Sequence, residues 1–311
     1  MTKDKPTVLT IAGSDSGGGA GIQGDVKTLE AFHVYGLTVL TSITAQNTQG
    51  VFQVFDLPPR LVAAQLKAVA EDIPIQAAKT GLLGGVDTIE TVAAHIKEFG
   101  IRNLVVDPVM RATSGDLLMT PQAQQALIHH LLPLCRIVTP NLPEATELSG
   151  VSIRNLPAMK EAARAIVGLG APAVLIKGGH RAPAGKFDPL ISLQARQVRI
   201  ETNPHDQHPK VSNGDIRSAQ GARQRVVDLF FDGRDFYEFG ADWVDIPGGV
   251  HGTGCALSAA IAAGLAQGLS SLEAIRQAKT YITEAIQRHY RVGHGQPVLD
   301  HSWRCFNPRG E

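Results

Sequence analysis

The sequence predicts an α/β fold with a mainly parallel central sheet covered by helices on both faces. Short runs of β-branched and apolar residues alternate along the chain with helical segments of about a dozen residues, an order typical of such sheets. Polar clusters follow nearly all of these runs, so we expect them to meet at the carboxyl edge of the sheet. The chain has 311 residues, of which 43% are apolar and 19% charged, enough for a large core.

Individual elements follow from hydrophobic periodicity and from the turns that bound it. The predicted strands are residues 7–12, 37–45, 77–83, 103–110, 136–139, 173–177, 226–231 and 236–238. The predicted helices are residues 26–32, 58–72, 86–99, 121–132, 156–169, 255–265 and 272–289. Between them, residues 181–225 are polar and have little periodicity. We therefore expect one domain, 1–311, with a polar insertion at about 181–225 that includes an edge hairpin around 190–200.

Charge and cysteine content exclude several classes of protein. The chain carries 29 basic and 29 acidic side chains and no basic stripe, so we expect no nucleic-acid partner. Its three cysteines, Cys135, Cys255 and Cys305, are an odd and sparse set that favours a reducing cytoplasm. The sequence has no signal-peptide pattern and no run of 18 apolar residues, so we expect no membrane association.

The stretch GGVHGTGCALS, residues 248–258, is the strongest candidate for a functional element. Its glycines open directly into an alanine-rich run that predicts a buried helix. The first-turn N–H groups of such a helix and its dipole favour an anion there, as in a phosphate site. The alternative is that Gly252 and Gly254 only make a tight turn into a packed helix.

Two further polar clusters follow the first two strands. The glycine-rich loop at residues 13–25 is not a Walker A loop, because no G-K-[ST] closes it, and it does not follow G-x-G-x-x-G cleanly. Gln46 follows the second strand. Its amide has donors and an acceptor that suit a ring nitrogen beside an exocyclic amine, although a surface amide is the alternative.

Charged side chains follow the later strands. Asp107 stands where a carboxylate holds Mg²⁺ through water or caps a turn. Asn141 and Glu144 have the spacing of a helix capping box, and a Glu144 that faces a metal is the alternative. Lys177 precedes two glycines and is placed to meet a phosphate, or else is solvated.

Seven motifs in this order resemble those of the hydroxymethylpyrimidine and hydroxymethylpyrimidine-phosphate kinases of thiamin biosynthesis, within the ribokinase-like superfamily. They are AGSDSGGGAGIQGD (12–25), TAQNTQGV (44–51), KTGLL (79–83), DPVM (107–110), TPNLPEA (139–145), KGGH (177–180) and HGTGCALSAA (251–260). The resemblance covers nearly everything except the insertion. It implies a three-layer αβα sandwich and a homodimer.

The resemblance also implies a reaction and a site. ATP, with Mg²⁺, phosphorylates 4-amino-5-hydroxymethyl-2-methylpyrimidine, and a second ATP converts the monophosphate to the diphosphate. Substrate-binding positions are Gln46, Gly13, Asp15, Asp25, Leu82 and Val109. The metal positions are Asp107 and Glu144. The nucleotide-binding positions are Lys177, Asn141 and Thr253. The catalytic positions are Lys177 and the four residues of the anion hole, Gly252, Thr253, Gly254 and Cys255.

Cys255 stands where the sugar kinases of the superfamily carry an aspartate base. A thiol at a helix N-terminus can have a lowered pKa, so Cys255 is a candidate to accept the hydroxyl proton. It could instead leave room for the phosphate of the second substrate, or be a structural cysteine.

The sequence departs from the family pattern at Thr80 and Leu82, at residues 248–250 and around Thr113. The main alternative function is that of pyridoxine or pyridoxal kinases of vitamin B6 salvage, which share the fold. The AQN context of Gln46 favours the pyrimidine. A second alternative is a binding protein without activity, which the intact set of Asp107, Glu144, Lys177 and Cys255 disfavours.

Overall fold

One sheet runs through the protein. The structure is a computed structural model, and it describes residues 5–111, 118–179 and 225–304. Within those residues its nine strands are β1 (Thr7–Ser14), β2 (Tyr35–Asn47), β3 (Gly50–Asp56), β4 (Ala77–Thr80), β5 (Leu104–Val106), β6 (Ile137–Val138), β7 (Val174–Ile176), β8 (Arg225–Phe231) and β9 (Phe236–Asp242). The helices are α1 (Gly21–Ala31), α2 (Pro59–Ala70), α3 (Val86–Glu98), α4 (Pro121–Ala126), α5 (Leu142–Ser149), α6 (Leu156–Gly168), α7 (Thr253–Ala266) and α8 (Ser271–Gln287). A π-helical turn at Leu127–Leu131 continues α4, and a 3₁₀ turn covers His301–Arg304.

The strand order explains where a ligand site forms. The order across the sheet is β3-β2-β1-β4-β5-β6-β7-β8-β9. Six neighbouring strands, β2, β1, β4, β5, β6 and β7, are parallel to one another. The chain passes from β1 to β2 on one side and later to β4 on the other. The crevice beyond the carboxyl ends of β1 and β4 is therefore the switch point at which open α/β sheets bind ligands.

Side chains of successive strand residues enter two separate cores. Ala78 and Leu9 pack with α2 to α6 on one face of the sheet. Ala77 and Val8 pack with α1, α7 and α8 on the other. This period-two division makes three layers, and it confirms the predicted α/β sandwich with a mainly parallel sheet.

The elements differ from the prediction in several places. Strand β4, for example, ends at Thr80 and not at residue 83. Helix α1 begins at Gly21 and not at residue 26. Its first turn lies so close to β1 that a Cβ at Gly21 would be 2.4 Å from the Gly13 carbonyl oxygen. The glycines that suggested a loop are the residues that allow this approach. Strand β5 ends at Val106, since Pro108 cannot donate to the ladder. Strand β3 was not predicted; it pairs antiparallel with β2 as the edge of the sheet.

Other predictions are confirmed or lie outside the described residues. The hairpin of β8 and β9 and the long last helix form as expected. The predicted insertion, its hairpin and the turn around Thr113 lie outside the described residues, apart from Arg225, which begins β8. In the described part of the chain, no helix is long and apolar enough to span a bilayer.

Replacing Thr80 by valine is expected to raise the free energy of unfolding by ~1 kcal/mol. Thr80 is fully buried, and among the described residues its hydroxyl has no hydrogen-bond partner. Valine keeps the shape and removes the unpaired hydroxyl. Urea unfolding measures the difference. The matched control is Thr10→Val, since Thr10 is equally buried but donates to Asp25 Oδ2 at 2.5 Å and should lose stability. Equal losses in both variants would contradict the prediction.

Candidate active site

A cavity of about 470 Å³ opens at the switch point of the sheet. Its walls include the ends of β1 and β2, the segments that follow β4 and β5, and the starts of β3, α1 and α7. Six residues predicted for the site lie on it, namely Gly13, Asp15, Gln46, Leu82, Val109 and Cys255. The structure thus brings together residues that are spread over 243 positions of the sequence, from 13 to 255.

Asp25 does not line this cavity, contrary to its predicted place in the pocket loop. It lies in α1 with a fully buried side chain. Its carboxylate accepts two hydrogen bonds from Lys79 Nζ, at 3.0 and 2.8 Å, and one from Thr10. Burial raises the pKa of the Asp25 carboxyl, while Lys79 and Thr10 act against that effect. Asp25 is therefore half of a buried ion pair beneath the site.

The N-terminus of α7 meets the cavity at Cys255. Gly252 precedes the helix at φ +85°, and a Cβ there would lie 1.9 Å from the Gly19 carbonyl oxygen. Only glycine fits this turn. The turn aims the first-turn N–H groups of Thr253, Gly254 and Cys255 out of the helix, where α-helical geometry gives them no acceptor of their own. The predicted glycine turn into a helix is therefore present, and anion binding at it stays a prediction.

A cationic side chain lies directly beside that helix terminus. Lys177 Nζ donates to Asp107 Oδ1 at 2.8 Å, and the two side chains are 13% and 3% exposed. A Cβ on Gly254 would be 3.2 Å from this Nζ and 3.8 Å from Asp107 Oδ2. Burial lowers the pKa of Lys177, but the negative charges of Asp107 and Glu144 raise it by a larger amount, so the net shift of the pKa is upward. The ammonium and the helix terminus therefore offer positive charge on the same spot.

The carboxylate of Asp107 is held from several sides. Thr139 Oγ1 lies 3.3 Å from Oδ1, and Ser258 Oγ lies 3.3 Å from Oδ2. Its backbone N–H donates to the Thr80 carbonyl. The position of this carboxylate is therefore fixed by β4, β6 and α7 together.

Asn141 and Glu144 form the predicted capping box at the start of α5. The Asn141 side chain accepts from the Glu144 N–H at 2.9 Å, and Glu144 Oε2 accepts from the Asn141 N–H at 2.8 Å. Glu144 is nonetheless close enough to Lys177 and Asp107 to interact with both charges. Burial raises the pKa of Glu144 to about 7, Lys177 opposes this rise and Asp107 adds to it. The capping role and a place in the charged cluster thus coexist.

The Cys255 thiol does not have the lowered pKa that its place at a helix N-terminus suggested. Burial raises the pKa of the thiol to about 11. The positive charge of Lys79 acts to lower this pKa, but the carboxylates of Asp25 and Asp107 act to raise it. The thiol is therefore protonated at neutral pH in the unliganded protein.

Alkylation of Cys255 by iodoacetamide is expected to accelerate about tenfold per pH unit from pH 7 to 10, since only the thiolate reacts. Below the pKa, each pH unit multiplies the thiolate fraction by ten. Peptide-resolved mass spectrometry would follow Cys255 separately from the other cysteines. A rate that stops rising near pH 8 would contradict the raised pKa.

Sequence reasoning missed two contributors to the cavity. His251 was noted only as part of a motif, yet its Nε2 lies 2.9 Å from Asp15 Oδ2 and 3.2 Å from the Gln46 side-chain amide. Arg111 lines the cavity beyond Val109. The HGTGC motif contained the signal for His251, but its partners are far away in sequence.

Comparison with known proteins shows the family of this chain. The family model described as phosphomethylpyrimidine kinase matches residues 15–219 and 211–300. A hydroxymethylpyrimidine/phosphomethylpyrimidine kinase of Rhizobium meliloti is 43% identical over 301 residues, which are 96% of this chain and 97% of that protein. Its counterpart in Bacillus subtilis is 37% identical, over 94% and 93% of the two chains.

Solved structures share the fold. A phosphomethylpyrimidine kinase of Clostridium difficile superimposes with a TM-score of 0.69 at 39% identity, over 91% of this chain and 100% of that one. The ADP complex of a pyridoxal kinase from Bacillus subtilis gives 0.76 at 36% identity, over 96% and 98%. These ribokinase-like neighbours agree with the fold, and the family model covers well over half of the sequence. The chain belongs to the phosphomethylpyrimidine kinase family.

Proposed function

We propose that the protein uses ATP to phosphorylate 4-amino-5-hydroxymethyl-2-methylpyrimidine and then its monophosphate, for thiamin biosynthesis. One observation carries the proposal. Gln46 and Cys255 both line the cavity, and Cys255 lies in the first turn of α7. Gly254, in the same turn, lies against the Lys177–Asp107 pair. In this proposal, a heterocycle bound at Gln46 directs its hydroxymethyl group toward Cys255 and the start of α7.

The chain's own groups supply most of what phosphoryl transfer requires, which is positioning and neutralisation of charge. The first-turn N–H groups of α7 bind the transferring phosphoryl group. Lys177 neutralises charge on the nucleotide phosphates, and Asp107 holds its ammonium in place. Asn141 and Thr253 lie at the starts of the two helices on the nucleotide side.

Asp107 and Glu144 fit a magnesium ion. Both supply hard oxygen donors, which Mg²⁺ prefers. Each carboxylate is already engaged, Asp107 with Lys177 and Glu144 with the Asn141 N–H, so we assign them contact through water. When bound, Mg²⁺ supplies neutralisation of the phosphate oxygens.

Cys255 leaves space at the reacting end of the cavity. Its thiol is protonated at rest, because burial raises its pKa to about 11, which makes it a poor base in the free protein. An aspartate at this position would place a negative charge beside the phosphate of the second substrate. A neutral thiol avoids that repulsion, which suits an enzyme that acts on a phosphorylated substrate.

The test is ATP consumption with mass detection of products. The panel is hydroxymethylpyrimidine, its monophosphate and pyridoxine, each with Mg²⁺. A diphosphate formed from the monophosphate is the expected result, and a pyridoxine kinase has no reason to add a second phosphate. Binding of the pyrimidine without any ATP turnover would instead identify a binding protein.

Pyridoxine kinase activity is the second candidate, because pyridoxal kinase structures superimpose on this chain as well as the phosphomethylpyrimidine kinase does. The curated relatives with which this chain shares 43% and 37% identity are named as pyrimidine kinases, which supports the first candidate. Turnover of pyridoxine alone in the same panel would reverse the order.

We further propose that the protein forms a homodimer through the β2–β3 hairpin. Strand β3 is an edge, and Phe52, Phe55 and Ile43 are 69%, 61% and 50% exposed there. Residues 36–55 contain no charged side chain, and the chain has no net charge. An uncharged apolar edge fits a second copy of itself better than a charged partner.

The double variant Phe52→Ser, Phe55→Ser is expected to be monomeric, whereas the wild type has twice the chain mass. Light scattering coupled to gel filtration, over a concentration series, measures both. Tyr290→Ser is the control, since Tyr290 is 50% exposed but lies off the hairpin. A wild type that stays monomeric throughout the series would exclude this dimer.

A further inference from the structure

The buried carboxylate of Asp15 fixes the state of its neighbour His251. Asp15 Oδ1 accepts from the Gly17 N–H at 2.8 Å, and Oδ2 accepts from the N–H groups of Gly19 and Ala20 at 3.0 and 2.8 Å. Burial raises the pKa of Asp15, but the bonds from His251 and the backbone hold it below its usual value. An ionised carboxylate only accepts hydrogen bonds. Since His251 Nε2 lies 2.9 Å from Oδ2, that ring nitrogen must carry a hydrogen.

This requirement extends to the amide of Gln46. The same Nε2 lies 3.2 Å from the end of the Gln46 side chain. A protonated ring nitrogen has no lone pair to accept with, so an NH₂ group facing it would set two donors against each other. The structure places the amide nitrogen on the His251 side, and the two amide orientations fill the same volume. The hydrogen-bond chemistry selects the reverse, with Oε1 toward His251, where it shares the single Nε2 hydrogen with the closer Asp15 Oδ2.

The other end of the amide leads to the same orientation. Thr44 Oγ1 lies 3.3 Å from it and donates its only hydrogen to the Ser14 carbonyl at 2.7 Å. Thr44 can then only accept, which suits an amide NH₂. Ser16 Oγ fixes the backbone of Gln46, since it accepts from the N–H at 2.8 Å and donates to the carbonyl at 2.7 Å.

We infer that His251, held by Asp15, is a positioning residue that fixes the Gln46 amide with its oxygen toward His251 and its nitrogen toward Thr44. One N–H and one oxygen lone pair of the amide then remain for a ligand. They match a ring nitrogen with an amino group on the adjacent carbon. Pyridoxine has no such pair, so the chain from Asp15 to Gln46 selects an aminopyrimidine. The inference rests on the proposed function for its substrate, but not for the hydrogen-bond chain itself.

The ring state can be measured without activity. Spectra of ¹⁵N-histidine-labelled protein, assigned by comparison with His251→Gln, report which ring nitrogen is protonated. A protonated, hydrogen-bonded Nε2 at pH 7.5 is expected. An Nε2 that carries only a lone pair would overturn the inference, whatever reaction the protein catalyses.

The selectivity is measured with a matched pair of variants. His251→Gln keeps a side-chain N–H that reaches Asp15, whereas His251→Met fills similar volume without a donor. We expect His251→Met to lower the ratio of kcat/KM for the pyrimidine to that for pyridoxine by about 10- to 100-fold, the cost of a mispaired buried polar group. The change should lie mainly in KM for the pyrimidine, and His251→Gln should restore most of the ratio.

Each outcome decides one of the two proposals. If His251→Met keeps the wild-type ratio while it folds and binds ADP normally, the positioning role is wrong and the proposed function stands. If wild-type protein does not turn over the pyrimidine, the proposed function is wrong, and the ring spectra still decide the hydrogen-bond chain. If His251→Met does not fold, the ring spectra and the His251→Gln variant decide. The inference would then be overturned if His251→Gln turned over the pyrimidine and pyridoxine with equal kcat/KM.

Discussion

Lys177→Met is expected to lower kcat by about 10²–10³-fold, the usual effect of removing one group that stabilises transferring charge. The affinity for the pyrimidine should change little, because Lys177 lies beyond the helix turn that ends the cavity and is absent from its walls. Initial rates with saturating ATP give kcat, and calorimetry with the unphosphorylated pyrimidine gives its Kd. A loss in kcat with nearly constant Kd places Lys177 on the phosphate side of the site.

The chain offers a matched control for this variant. Lys279 Nζ donates to Asp228 Oδ2 at 2.6 Å, with side chains 15% and 5% exposed, much like the Lys177–Asp107 pair. Lys279→Met should therefore cost similar stability, since each variant leaves a largely buried carboxylate unpaired. Its kcat should fall far less. Comparable losses of kcat in both variants, or equal losses of kcat and pyrimidine affinity in Lys177→Met, would contradict a direct role for Lys177.

Much of the site could be predicted because polar residues follow strands in a parallel sheet. Gly13, Gln46 and Val109 each come soon after an apolar run, and the topology brings such ends together. Their place on one cavity follows from this rule alone. The turn into α7 was equally predictable, since a glycine turn before an apolar helix is a local pattern.

Contacts between distant segments could not be predicted in this way. Asp15 and His251 are 236 positions apart, and nothing in their spacing indicates that a carboxylate will meet that ring. Asp25 was misplaced for a related reason. Glycine allows both a loop and a close helix contact, and only the packing of α1 against β1 distinguishes them.

The raised thiol pKa also depends on packing. A helix N-terminus alone lowers the pKa of a thiol, and this was the basis of the prediction for Cys255. The structure adds burial and two nearby carboxylates, Asp25 and Asp107, which outweigh it. Local sequence gives the helix terminus but not the charges that β5 and α1 bring beside it.

Lys79→Met is expected to lower the free energy of unfolding by about 3–5 kcal/mol, the cost of leaving a buried charge without its partner. Lys79 and Asp25 are both fully buried and joined at 2.8 Å. Burial lowers the pKa of Lys79, yet Asp25, Cys255 and Asp107 together raise it by more, so Lys79 is charged in the wild type. Urea unfolding at pH 8 measures the loss. Adding Asp25→Leu to the variant should recover part of it, since the unpaired carboxylate is then gone.

The pH dependence of this loss separates an unpaired charge from simple misfit. Without Lys79, only the Thr10 hydrogen bond still opposes burial and the charge of Asp107, so the pKa of the Asp25 carboxyl rises further above its value in the unfolded chain. The folded variant then binds a proton that the unfolded chain does not, so its stability rises as the pH falls. The difference from the wild type should therefore shrink between pH 8 and pH 5. A difference that stays constant over this range would mean that methionine merely packs badly between β4 and α1, and that the ion pair beneath the active site contributes little to stability.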